Sequence, residues 1–379
     1  FMAFNLNAQS YVGHSVDNYA GIHGVIYNPA NIVASNFRAD INIGSASFFG
    51  GSDYASIDFN QVINSSDEFD FDADATLSPS DNNNFFFNAD AVGPSFMFNL
   101  TPKSSIGIIT RGRIMFNIND INGQLYENLA DGFDTNNDFG FDSPNFTGTT
   151  HGWFEIGLSY GRILMSKTNH LITGGVTLKY LQGAGVAYAS TPGFSGSYTA
   201  ATETLNSTGS INYGNTENFD GDDLDFEDLT GGFGLDVGFV YQWHPDRDND
   251  NTRYFQDTYK LKIGASITDI GSISYDNAEI TTYDMNATIN TANAEEDIQD
   301  FLDNNYNSTS DNQNVDIQLP TALHFLVDYR LAKKWLVSAQ GSFSLTSAGN
   351  ELSNRIINTV TIAPRFESKW LSFFTPLSF

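Results

Sequence analysis

Cysteine is absent from this chain of 379 residues, and no apolar run approaches the length of a membrane-spanning helix. The first absence excludes disulfide bonds and thiol chemistry. The second excludes a helical membrane protein, because a spanning helix needs about 20 consecutive apolar residues. Basic residues are scarce too, with 17 Lys and Arg against 45 Asp and Glu, a formal net charge of −28. Nucleic acid is therefore not expected as a partner, since such a chain repels a polyanion.

Strict alternation of apolar and polar residues is the dominant pattern of the chain. In residues 233–243 one face carries Phe233, Leu235, Val237, Phe239, Tyr241 and Trp243. This period of two predicts antiparallel strands in an all-β protein. The predicted strands are 39–49, 53–60, 85–100, 105–118, 152–165, 170–185, 230–243, 257–270, 316–330, 334–346, 355–366 and 369–379.

Aromatic residues make up 14% of the chain, yet the mean hydropathy is −0.26. This combination suits a transmembrane barrel, in which alternate residues face lipid, and equally a soluble all-β protein. The lengths of the connections favour the barrel, because short and long connections alternate almost strictly. An up-and-down meander of that kind brings every long, acidic loop to one end, as in outer-membrane barrels. We therefore predict a transmembrane up-and-down antiparallel β-barrel.

The first 38 residues do not alternate and contain the turn-forming motif Asn28-Pro29-Ala30. They are predicted to fold as a plug inside the lumen, or as an arm that leads into the first strand. The barrel is predicted to occupy residues 39–379. The strand count ends on the long-loop side, which predicts a missing last strand, whereas the final Phe379 predicts a complete barrel. No leader is visible, so the start is expected to be processed or the chain not exported.

Several short segments resemble the FadL-like superfamily of outer-membrane barrels, which includes the PorV-type barrel of the type IX secretion system. They are the Asn-Pro-Ala motif before the first strand and segments 236–241, 264–271 and 319–323. The resemblance is greatest to uncharacterised outer-membrane barrels of Bacteroidota. It implies a barrel of about 14 strands with an N-terminal lumen plug. It does not imply a particular substrate.

Charged residues lie on the polar faces of the predicted strands, where lipid contact would cost several kcal/mol. We therefore predict that they face inward as a charge network that holds the plug, or alternatively tunes permeation. The predicted members are Arg111, Arg113, Glu155, Lys179, Asp236, Asp328 and Arg330.

One acidic loop resembles a calcium-binding loop, because Asp246, Asp248 and Asp250 alternate and Asp257 stands at the twelfth position. A solvated turn is the favoured interpretation and a calcium site is the alternative. No cofactor is required by any motif. The six histidines are scattered, and no nucleophile elbow or phosphate loop is present, so the chain is predicted not to be an enzyme.

The sequence thus predicts a bacterial outer-membrane protein in contact with lipid and lipopolysaccharide. Its predicted role is that of a subunit of an outer-membrane assembly, such as a type IX secretion or surface-protein complex, with other outer-membrane proteins or lipoproteins as partners. One alternative is a passive transporter of hydrophobic small molecules. The other is a soluble extracellular β-rich adhesin.

Overall fold

Antiparallel strands account for most of the chain in the computed structural model. The structure describes residues 17–33, 35–57, 75–133, 136–167, 169–216, 219, 229–245, 259–291, 298–368 and 371–379.

The helices of the described ranges are few and short. They are α1 (Ile22–Tyr27), α2 (Gly123–Asp131), α3 (Ile298–Asn305) and the 3₁₀ turns Pro29–Ile32 and Ala200–Thr202. No helix in the described ranges has the length and apolar character needed to cross a membrane.

The strands, in chain order, are β1 (Ala39–Asn42), β2 (Ser45–Ser52), β3 (Ala55–Ile57), β4 (Ala75–Leu77), β5 (Asn83–Val92), β6 (Ser95–Thr101), β7 (Ser104–Ile121), β8 (Phe139–Asp142), β9 (Thr147–Lys167), β10 (His170–Ser190), β11 (Ser195–Thr199), β12 (Thr204–Thr208), β13 (Ser210–Asn215), β14 (Thr230–Trp243), β15 (Leu261–Asp284), β16 (Ala287–Asn290), β17 (Asn307–Gln318), β18 (Ala322–Ala332), β19 (Trp335–Ser344), β20 (Thr359–Glu367), β21 (Ser372–Phe374) and β22 (Leu377–Ser378).

One antiparallel sheet of 16 strands forms the body of the described chain. Its path runs β1-β6-β7-β9-β10-β13-β15-β18-β19-β20-β21, and the other five strands pair alongside this path. For example, β2 follows β1 after a break of two residues, and β14 pairs with β10 and β15 as β13 does. The predicted count of about 14 is therefore not matched strand for strand, because breaks divide single predicted strands.

The short connections lie at one end of the sheet, as the alternation of loop lengths predicts. The β6–β7, β9–β10 and β18–β19 turns each span two residues. Register brings them together, since Ser104 pairs with Arg162 and His170 pairs with both Lys167 and Trp243. We call this the short-turn end.

Two predicted strands have different bounds in the structure. The predicted strand 316–330 is interrupted at residues 319–321, where Pro320 cannot donate a hydrogen bond to a ladder. The predicted strand 257–270 instead begins at Leu261 and continues to Asp284. Alternation alone could not give this extension, because the strand contains two bulges that change which face each residue occupies.

The two faces of the main sheet differ sharply. In β9, Trp153, Glu155 and Ser159 are buried, whereas Phe154 and Ile156 between them are exposed. The first set lies on the side of the sheet that packs against the N-terminal segment, which we call the inward face. The outward face carries apolar side chains on almost every strand.

The long connections form a small folded unit, which we call the cap. The strands β16-β12-β11-β8 make a second sheet. It shares an apolar core with both longer helices: Leu125, Phe141, Phe194, Tyr198, Ala200, Leu205, Tyr283, Met285, Ile289, Phe301 and Tyr306. Residues 119–151, 186–229 and 271–315 are the long connections between the predicted strands, and their described parts contain short strands and helices. Apolar residues scattered over the three segments combine there into one core.

Candidate functional site

The N-terminal segment 17–33 packs against the inward face near the short-turn end. Ile22, Val25, Ile32 and Val33 are buried against wall residues of β5, β6, β7, β9 and β10. The apolar residues of α1 and of the following 3₁₀ turn therefore fill the interior at this level. The first 16 residues of the predicted plug lie outside the described residues.

The Asn28-Pro29-Ala30 motif joins this segment to the wall. The Asn28 amide nitrogen donates to the backbone oxygens of Phe239 and Ala265, each at 3.2 Å. Its carbonyl oxygen accepts from the backbone nitrogen of Ala30 at 3.0 Å and caps the 3₁₀ turn. Thr173 donates to the backbone oxygen of Ala30 at 3.3 Å. The motif thus spans β10, β14 and β15.

A row of small residues on the inward face makes room for the motif. Gly175 pairs with Gly161 on one side and with Gly238 on the other, and Gly238 pairs with Ser266. A Cβ atom at Gly175 would clash with the backbone of Pro29, and one at Gly238 would clash with Asn28. One at Gly161 would clash with Ile32. We call Gly161, Gly175, Gly238 and Ser266 the glycine row.

Polar contacts join the segment to the first and to the last strands of the main sheet. The backbone nitrogen of Ile22 donates to Asp40 of β1 at 3.0 Å. At the other end, Asn18 donates to Glu367 of β20 at 3.1 Å, and Ser372 of β21 donates to Asp17. Asp17 and Ile22 are five residues apart, so at most about 18 Å of chain separates the contacts with β1 from those with β20 and β21.

On the side of the segment away from the short-turn end, seven charged side chains form a buried network, which we call the charged cluster. Arg111 makes a two-point contact with Asp90 and reaches Glu155 at 3.4 Å. Lys179 lies 2.9 Å from Asp236 and 2.6 Å from Asp269. Arg113 completes the cluster by binding Asp269 at 2.8 Å. Each of these side chains is less than a tenth exposed.

Five of the seven residues predicted for the charge network meet in this cluster: Arg111, Arg113, Glu155, Lys179 and Asp236. Asp328 belongs instead to a second cluster around Arg365. The Arg365 guanidinium lies 2.8 Å from Asp328 and 3.0 Å from Glu367. Arg330 lies near the β18–β19 turn and donates to the backbone oxygens of Tyr259 and Lys333.

The prediction missed four members of these clusters. Asp90, Arg365 and Glu367 occupy the polar phase of their strands, so the alternation itself could have identified them. Asp269 could not have been found in this way. A bulge turns both Thr268 and Asp269 to the buried side, and Asp269 adopts a left-handed φ of 57°.

Beyond the charged cluster the inward face carries an apolar cluster beside buried polar side chains such as His151 and Asn117. Its buried members include Met115, Trp153, Leu181, Ile273 and Ile317. Together they form an apolar layer between the charged cluster and the cap.

The connection between β19 and β20 folds back into the interior, and we call residues 345–358 the inward loop. Asn354, which has no exposed surface, donates to the backbone oxygens of Met115 and Thr149 and to the side chain of Asn117. Arg355 exchanges backbone hydrogen bonds with the Asn117 side chain. The loop therefore binds β7 and β9, which lie several strands away from β19 and β20 along the sheet.

A cavity of about 60 Å³ remains between the N-terminal segment, the charged cluster and the inward loop. Its lining includes Tyr27 of the segment, Arg111 and Arg113 of the cluster, and Arg355 of the loop. About four water molecules would fit, so this cavity has no room for a larger solute.

The predicted calcium ligands Asp246, Asp248, Asp250 and Asp257 lie outside the described residues. Within the described ranges, no group of three or more His, Cys, Asp or Glu side chains could hold a metal ion.

Comparison with known proteins gives a family and weak structural likenesses. No curated protein matches the sequence. The chain has 11% identity and a TM-score of 0.39 to the toluene transporter TodX of Pseudomonas putida, over 98% of this chain and 91% of that one. The chain has 10% identity and a TM-score of 0.26 to the ferric yersiniabactin uptake receptor FyuA of Yersinia pestis, over 88% of this chain and 40% of that one. Scores below 0.5 do not establish a common fold. A family model matches residues 29–379, and the chain belongs to that family, a family of unknown function designated DUF5723.

Proposed function

We propose that this protein is an outer-membrane β-barrel in which the N-terminal segment plugs a passage for small molecules. The glycine row is the observation that carries this proposal. A barrel of modest size can fill its own interior with wall side chains. This wall instead has small residues at the positions where a separate segment sits, so withdrawal of that segment would leave open space.

The outward face supports a position within a membrane. On β9 the exposed apolar residues extend from Leu164 to Phe154 and are interrupted by Arg162 near the short-turn end, where a charge costs little. Ten residues at about 3.3 Å each, tilted by about 40°, give a band of about 25 Å, the height expected for an outer-membrane barrel. Trp243, Tyr329 and Trp335 lie outward near the short-turn end, as an interfacial aromatic girdle would. These exposed apolar surfaces argue against the soluble adhesin alternative.

Closure of the sheet into a barrel is supported by contacts across the interior. The N-terminal segment binds β1 through Asp40 and β20 through Glu367, which belong to opposite ends of the sheet. The inward loop, which precedes β20, binds β7 and β9. A flat sheet would separate these strands too widely for either set of contacts.

The apolar layer favours hydrophobic solutes over ions, because a conducting pore for ions is lined by polar groups. TodX is described as a toluene transporter, but the likeness is too weak to transfer its substrate. A role as a subunit of a secretion or surface-protein assembly would require partners in stable complex with the cap. Nothing in the described residues favours that role over a passage.

The test is the permeability of the full chain in lipid vesicles before and after the segment is displaced. Gly238→Val introduces a side chain where Asn28 and Pro29 lie, at an over-packing cost of about 1–3 kcal/mol. The variant should admit small apolar dyes faster than the wild-type chain does. Gly231→Val is the matched control on the same strand, because a Cβ there meets only Tyr180 at 3.7 Å.

Folding of each variant would be verified by its far-UV circular dichroism in the same vesicles. If folded Gly238→Val and Gly231→Val chains are equally impermeable, the segment is not a plug of a passage and the proposal is wrong. Recovery of the wild-type chain with stoichiometric protein partners from native membranes would favour the assembly alternative instead.

A further inference from the structure

Two guanidinium groups that line the 60 Å³ cavity have unused hydrogen-bond donors. The Nε atoms of Arg113 and Arg355 are buried and have no acceptor among the described residues. Arg113 comes from the wall strand β7, and Arg355 comes from the inward loop. Buried donors without an acceptor cost about 1–3 kcal/mol each, so an acceptor inside the cavity would be strongly favoured.

The carboxylate that lines the cavity is already engaged. Asp269 accepts from Lys179 through one oxygen and from Arg113 through the other. Arg111 is held by Asp90 and Glu155. Arg355, in contrast, forms no ion pair with any described residue. The cavity therefore presents one cation without an ion pair and two unused donors, one from the wall strand β7 and one from the inward loop.

The other lining groups are suited to a small anion. The His324 ring is satisfied by Thr268 at 3.0 Å and by Ser342 at 2.8 Å, so it does not need the cavity for a partner. Ile26 and Ile356 line other parts of the cavity and limit its size. A cavity that fits about four water molecules also fits a halide or a short carboxylate.

We propose that this cavity binds a small monovalent anion, of halide or short-carboxylate size, between Arg113 and Arg355. The bound anion links the inward loop to the wall, because it accepts from both guanidinium groups. Charge-assisted hydrogen bonds of this kind are stronger than neutral ones, which favours an anion over water in this position. The site does not depend on whether the interior conducts solutes.

Bromide is the probe, because it is monovalent and gives an anomalous X-ray signal. Crystals of the full chain grown in detergent would be soaked in sodium bromide. An anomalous peak is expected within hydrogen-bond distance of the guanidinium groups of both Arg113 and Arg355. A map in which water alone fills the cavity would overturn the proposal, whatever the outcome of the permeability experiment.

Affinity in solution provides an independent readout. Titration calorimetry should give a dissociation constant for bromide. Arg355→Gln should raise this constant by about tenfold or more, since a charge-assisted contact is lost. Arg330→Gln is the control, because that guanidinium binds backbone oxygens near the β18–β19 turn. Equal affinities of Arg355→Gln and the wild-type chain would contradict the site. A short carboxylate, tested as acetate, should compete with bromide in the wild-type chain.

Discussion

Lys179→Met should destabilise the protein strongly, because Lys179 is the central cation of the charged cluster. Its ammonium lies 2.6 Å from Asp269, 2.9 Å from Asp236 and 3.9 Å from Glu155. In the substituted chain Asp269 would keep Arg113, and Glu155 would keep Arg111. Asp236 would keep the backbone N–H of Asp269 at 2.7 Å but would lose its cation.

Burial sets the size of this effect. The side chains of Lys179 and Asp236 are 5% and 3% exposed, so little water can replace the lost partner. Breaking one side of a buried ion pair costs about 3–5 kcal/mol. A second substitution, Asp236→Asn, removes the stranded charge and should recover about 1–3 kcal/mol of that loss.

Unfolding by urea in lipid vesicles measures this cost. The fluorescence of Trp153, which is 1% exposed in the folded chain, reports the unfolding. Lys260→Met is the control, because Lys260 is partly exposed near the short-turn end, where its ammonium donates to the backbone oxygen of Arg330. Its loss should cost less than about 1 kcal/mol. A cost below about 1 kcal/mol for Lys179→Met, or no recovery with Asp236→Asn, would show that the cluster does not depend on this ammonium.

Three further predictions concern the inward loop and the cap. Asn354→Ala removes three hydrogen bonds of the inward loop, so proteases should cleave that loop faster, whereas unchanged cleavage would contradict its docking. Phe301→Ala should cost the cap about 3–5 kcal/mol and leave the strand signal in circular dichroism intact, whereas joint loss of both would contradict a separate core. Burial raises the pKa of Tyr283 and of Tyr306. Their contribution to cap stability is therefore complete below pH ~10 and is lost as the pH rises through the raised values, which near-UV circular dichroism would detect. A cap signal unchanged well above pH 10 would contradict this prediction.

The alternation predicted the regular parts of the wall closely. The strand predicted at 230–243 is β14, residue for residue. This succeeded because a strand that separates two different environments must alternate at every position, so the pattern carries both the strand and its orientation. Arg365 was within reach of the same rule, since Ile362, Pro364 and Phe366 occupy the opposite phase.

Asp269 marks the point at which that rule fails. Continued alternation from Ile263 and Ile267 would turn Asp269 outward, yet the bulge makes it the partner of both Arg113 and Lys179. A bulge inserts one residue and changes the phase of every later residue in the strand. Its position depends on the pairing with β14, which no local pattern of β15 encodes.

The cap and the inward loop were equally inaccessible to the sequence pattern. Phe141, Phe194 and Phe301 belong to three separate connections, and each lies in a short segment that is otherwise mostly polar. The inward loop offers the same problem, since Asn354 is polar and yet completely buried. Both depend on contacts between residues far apart in the chain.

The all-β class, the two unlike faces of the wall and the inward phase of most of the charged residues are therefore properties of the amino-acid sequence alone. Each of them arises from the geometry of one strand, which the residues of that strand specify. Assembly of the strands, in contrast, determines which charges meet, how the glycine row fits the Asn28 motif, and how the inward loop leaves a cavity beside Arg113. Those features depend on register, bulges and long-range packing, and so they exist only once the strands are paired.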